Sequence, residues 1–167
     1  MHAGQIASIT ALGWSASAMA VARVGERQAT RLIVAGPILL TVGMFVLAWG
    51  IDQRSIVTTA IALAACGVSF GISNGFVCQR SIAASEFAER DVTSGAIPTF
   101  EGLGGALGAA VAGIVATSTG FPAADSGTRP IVWAFVIGGL LGVPAILAAI
   151  RFARRTSASA LQPQLAE

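Results

Sequence analysis

Five long apolar runs, at about 4–22, 32–50, 56–78, 94–118 and 131–150, set the terms on which this chain can fold. At about 1.5 Å of rise per residue, each is long enough to cross a hydrocarbon layer about 30 Å thick. In lipid the backbone must satisfy its own N–H and C=O groups, which leaves only helices or closed barrels. The runs are continuous rather than alternating, so their pattern predicts helices and not barrel strands. The rest of the composition agrees. Hydrophobic residues make up 54% of the 167 and charged residues 11%, with a mean hydropathy of +0.77. A soluble domain carries about 25% charged residues. Disordered chains are polar and charge-rich, and disulfide scaffolds need more than the 2 cysteines present. Cys66 and Cys78 share one run, about 18 Å apart along a helix axis, too far for a disulfide. The expected fold is an all-α integral membrane protein. Its transmembrane helical region fills residues 1–155, and a disordered cytoplasmic tail follows at 156–167.

Charge placement gives an expected orientation. All ten basic residues are arginine. Arg23, Arg27, Arg31, Arg80, Arg90, Arg151, Arg154 and Arg155 fall in alternate joints and the tail, and only Arg54 and Arg129 in the opposite joints. The positive-inside bias then puts the C-terminus in the cytoplasm and, with five spans, the N-terminus outside. Lysine-free, alanine-rich composition points to a bacterial inner membrane as the setting. A net charge of +2 is too small to imply a nucleic-acid partner. The odd span count, with Met1 just before a semi-polar helix, reads as the end of a longer design.

Several glycine motifs mimic enzymes. GVSFG (Gly67 to Gly71) and GISNG (Gly71 to Gly75) fit G-x-S-x-G. That motif needs a strand–turn–helix setting and a downstream histidine, and the one histidine is His2. GLGGALG (Gly102 to Gly108) has the look of a dinucleotide loop, with Asp125 at a suitable distance, but no βαβ unit surrounds it. No His/Cys/carboxylate set has metal-ligand spacing. No enzymatic activity, cofactor or metal is expected. The glycines read instead as helix-packing positions: Gly67, Gly71 and Gly75 on one run, Gly104 with Gly108, and Gly138 with Gly142, all at four-residue spacing.

Polar residues inside the runs are the candidate functional groups. Glu101 lies about two turns inside the fourth run. A carboxylate at membrane depth costs several kcal/mol unless it is paired, hydrated or protonated. Glu101 is therefore a candidate for proton coupling or for an ionic contact with substrate, the alternative being a packing carboxylate tied to an arginine or to backbone. Gln5, Ser8 and Ser15 fall at helical spacing on the first run and, with Trp14 and Asn74, are candidate cavity-lining residues. Trp49 and Trp133 sit near the ends of runs, where aromatic belts form.

Three stretches carry a family resemblance. ERDVTSGAIPTFEGLGGALGAAVAGIVA (Glu89 to Ala116) pairs a charged loop with a glycine-rich helix. ARVGERQATRLIVAG (Ala22 to Gly36) holds a basic loop, whose charges are Arg23, Glu26, Arg27 and Arg31. WAFVIGGLLGVPAILAAIRFARR (Trp133 to Arg155) is a helix with a basic tail. Together they resemble the C-terminal part of a major facilitator superfamily transporter of the multidrug proton-antiporter type. The basic loop lacks the family's usual aspartate and glycine-rich opening. The resemblance implies that the five helices correspond to the last five of that fold. It also implies efflux of a small apolar or cationic molecule by proton antiport. Such transporters hold substrate between two halves, so the implied partners are the lipid bilayer, the substrate, and a missing N-terminal half or a homodimer mate. The rival expectation is a small non-transporting membrane subunit that packs against partner helices.

Overall fold

The structure is a computed structural model that describes residues 3–121 and 127–161, with side chains from 8 to 121 and from 127 to 155. His2, Asp125 and the last part of the 156–167 stretch lie outside the described residues. The chain is all-α: α1 (Ala3–Val21), α2 (Glu26–Asp52), α3 (Ile56–Ala83), a single 3-10 turn at Phe87–Glu89, α4 (Arg90–Ser118) and α5 (Arg129–Leu161).

The helices outrun the apolar stretches that predict them. α2 begins at Glu26, so Glu26, Arg27 and Arg31 stand on its first turns, and only Arg23 of the four expected loop charges lies in the joint. Glu26 suits the positive end of the helix dipole. α5 continues to Leu161, into the stretch expected to be a disordered tail. Charged residues end an apolar run without ending a helix, because arginine and glutamate are good helix formers. Among the described residues, four helices are long and apolar enough to cross a membrane. The described apolar part of α1, Ser8–Val21, is shorter.

Joint chemistry is local. Ser55 caps α3, its hydroxyl oxygen accepting from the Thr58 N–H at 3.3 Å. α2 closes with the Ser55 N–H donating to the Gly50 carbonyl at 2.9 Å and the Arg54 N–H to that of Ile51 at 3.0 Å. This is the paired hydrogen-bond pattern that ordinarily places glycine in the left-handed region. Here Arg54 occupies that position, with φ 52°. A side chain there costs roughly 1–2 kcal/mol.

α2 is the centre of the bundle, with α3 on one side and α5 on another; α1 packs on α3, and α4 rests mainly along α5. Backbone proximity, not bulk, holds these contacts. Gly36, Gly43 and Gly50 recur every seven residues on α2 and face α3. A Cβ at Gly36 would run into the Ser73 side chain, one at Gly43 would lie 2.9 Å from Cys66 Sγ, and one at Gly50 3.0 Å from the Thr59 nitrogen. On α5, Gly142 meets Thr41 and Gly139 meets the Phe45 ring. The buried set is correspondingly small-residued: Ala29, Ala48, Ala62, Ser69 and Thr41 beside Ile33 and Leu47. The buried hydroxyls bond their own helices, Ser69 to the Cys66 carbonyl at 2.7 Å and Thr41 to that of Pro37 at 2.8 Å.

Large apolar side chains point outward instead: Leu12, Ile56, Val57, Phe100, Leu107 and Ile114 are all exposed. A continuous apolar exterior around helices of this length suggests a membrane-embedded protein.

Candidate functional site

Helix α3 has two working faces. One, with Ala62, Cys66, Ser69 and Ser73, meets α2. The other meets α1 through Gly67 and Gly71. A Cβ at Gly67 would overlap the Thr10 carbonyl, and one at Gly71 would overlap the Ser17 hydroxyl and the Trp14 carbonyl. Small residues on both helices permit this close approach. Thr10, Gly13, Trp14 and Ser17 form the matching face of α1, at helical spacing. Ser17 is buried in the contact, and its hydroxyl donates to the Gly13 carbonyl at 2.7 Å.

Below that contact the helices part, and a cavity of about 490 Å³ opens between α1, α3 and the start of α2. Trp14, Ala18 and Phe76 give it apolar walls, and Asn74, Gln79 and Arg80 its polar groups. Trp14 is held edge-on against Phe70, with ring centroids 5.2 Å apart. The Asn74 side-chain oxygen accepts from the Cys78 thiol at 3.8 Å. At the mouth, Arg80 bridges two helices: Nη2 donates to the Glu26 carboxylate at 2.8 Å, to the Thr30 hydroxyl at 2.8 Å and to the Glu26 carbonyl at 3.2 Å. Arg80 is 13% exposed and Glu26 88%, so the ion pair has one sheltered and one solvated member. An aromatic wall facing amide and guanidinium groups can take a small molecule with an apolar body and one polar end.

Of the residues expected to line a cavity, the structure brings Trp14 and Asn74 together here. Ser8 and Ser15 stand on the exposed side of α1, away from the cavity. Gln5 belongs to α1, and its side chain lies outside the described ones. Glu101 is on α4, exposed, with no ion-pair or hydrogen-bond partner among the described residues. Its carboxylate is within electrostatic reach of Cys78, the neighbour of Asn74.

The expected packing glycines divide. Gly67 and Gly71 touch α1, and Gly138 and Gly142 face α2, whereas Gly75, Gly104 and Gly108 have open space where a Cβ would stand. Gly104, Gly108 and Gly138 instead border an apolar groove of about 530 Å³ between α4 and α5, floored by Met44. Arg31 and Arg154 line one groove, and Arg80 meets Glu26, so the arginine-rich joints share one end of the bundle.

Sequence reasoning missed three features. The Arg80–Glu26 bridge leaves no local signature, since the two residues are far apart in sequence. Ser17 was legible as part of the small-residue face of α1. The heptad Gly36, Gly43 and Gly50 was legible as a two-turn repeat. No family model, curated protein or solved structure matches the chain.

Proposed function

We propose that this chain is a membrane-embedded part of a small-molecule transporter of the major facilitator type, exporting an apolar or cationic molecule by proton antiport. One observation carries the reading: the cavity that unites Trp14 and Asn74 between α1 and α3. Glu101 stands on α4, outside the residues that line this cavity. In this reading Trp14 holds the apolar body of the substrate, Asn74 binds a polar group, and Glu101 is the ionic or proton-coupling residue. The arginine-rich end is cytoplasmic by the positive-inside rule. The open sides of α1 and α4 leave room for a second wall, supplied by an N-terminal half or by another copy. The resemblance of Glu89–Ala116, Ala22–Gly36 and Trp133–Arg155 to the last helices of that superfamily supports the same reading.

The test is water access. In a chain with Cys66 and Cys78 changed to serine, Ala18→Cys reports on the cavity and Ser15→Cys on the open side of α1. Both should react with a membrane-impermeant maleimide in sealed vesicles. No reaction at either site defeats a hydrated path. It favours a non-transporting subunit, a reading with its own support in the empty space beside Gly104 and Gly108.

A further inference from the structure

The end of the bundle opposite the arginine-rich one carries a second cavity, which the transport reading leaves unused. It holds about 720 Å³ between the end of α2 and the start of α5. Phe45, Trp49 and Trp133 form its apolar walls, and Asp52, Arg54 and Arg129 its charges. Trp49 and Trp133 belong to different helices, so the fold, not the sequence, makes them a pair. Both are exposed, where an indole can meet the polar–apolar boundary of a bilayer.

Neither arginine is where local structure would place one for the backbone's sake. Arg54 holds the left-handed position at the end of α2, with φ 52°, where glycine is unstrained. The carboxyl end of α2 attracts its charge, yet a cation could be offered from any residue of the last turn without that strain. Arg129 opens α5, at the helix end whose dipole disfavours a cation. Both line the same cavity, with one carboxylate, Asp52, in the same wall. That set has a defined complement: an anion that takes two guanidinium groups, joined to a cation that takes a carboxylate and indole faces.

We infer that this cavity seats the headgroup of a zwitterionic phospholipid. The phosphate lies with Arg54 and Arg129, and the amine with Asp52 and the faces of Trp49 and Trp133. The acyl chains run down the apolar surface below Phe45. The inference rests on the membrane-embedded part of the reading above and is independent of transport.

The experiment is native mass spectrometry of the full chain released from dodecyl maltoside micelles, titrated with dioleoyl phosphatidylethanolamine or dioleoyl phosphatidylglycerol. The amine lipid should bind more tightly than the glycerol lipid. Arg54→Gly should weaken its binding roughly tenfold, the loss expected for one charge-assisted hydrogen bond. The same substitution relieves the left-handed strain, so the melting temperature of the variant should not fall, and lost binding cannot be laid to misfolding. Arg129→Gln should weaken binding comparably.

Equal affinity for the two lipids, or unchanged binding by Arg54→Gly, overturns the proposal. Displacement of the lipid by free phosphoethanolamine at matched concentration also overturns it, in favour of a soluble ligand. A chain that stays monodisperse without detergent would instead sink the membrane reading before any lipid is added.

Discussion

Helices α2 and α4 are of similar length and both rich in small residues, yet α2 buries eight residues and α4 none. Glycine content does not explain the difference, since the barely buried α4 has six glycines and α2 three. α2 spaces its glycines by seven, so all three meet α3, whereas Gly104 and Gly108 of α4 face open space. The same four-residue spacing that leaves α4 bare brings Gly67 and Gly71 of α3 into backbone contact with α1. A small-residue stripe states only that a helix can be approached; its neighbours determine whether it is. With α4 so lightly held, Glu101 is exposed and not buried in the chain's own core.

The contrast can be broken at three places, measured as thermal stability in detergent. The largest effect should come from Gly67→Leu. Its new side chain would collide with the Thr10 carbonyl, a backbone group that cannot rotate aside. A loss of about 3 kcal/mol is expected, at the upper end of ordinary overpacking. Next is Arg80→Ala, which removes the bridge from α3 to Glu26 and Thr30 on α2. Because Glu26 is so exposed, the loss should be about 1 kcal/mol. A much larger loss would mean that this bridge, not glycine packing, secures the α2–α3 pair. Gly104→Leu should change stability by less than about 0.5 kcal/mol, as at an open surface site. A loss there as large as at Gly67 would show that α4 is as tightly seated as its neighbours, and the distinction between the two regions would fail.

The helices themselves were legible, since uninterrupted apolar runs of this length have few other outcomes. Their ends were less so, because apolarity stops at Leu32 and Ile150 while helical backbone extends through Glu26–Arg31 and Arg151–Leu161. Trp14 and Asn74 could be chosen singly as polar or aromatic groups in apolar runs, but their common cavity depends on α1 crossing α3. Choosing Ser8 and Ser15 over Ser17 picked the exposed side of α1, because polarity alone does not say which side of a helix meets protein. Arg54 gave a fainter sign: α2 ends in Asp52-Gln53-Arg54-Ser55, with no glycine to take the left-handed turn.

The seating of α1 on α3 has a consequence for synthesis. A ribosome delivers α1 before α2 and α3, but the groove that receives it belongs to a helix two elements later. Until α3 emerges, the α1 face of Thr10, Gly13, Trp14 and Ser17 lacks the helix it packs on, whereas α2 and α3 can zip together as a neighbouring hairpin as soon as both exist. Among these three helices, assembly is therefore expected to begin with the α2–α3 pair, with α1 docking onto it afterwards.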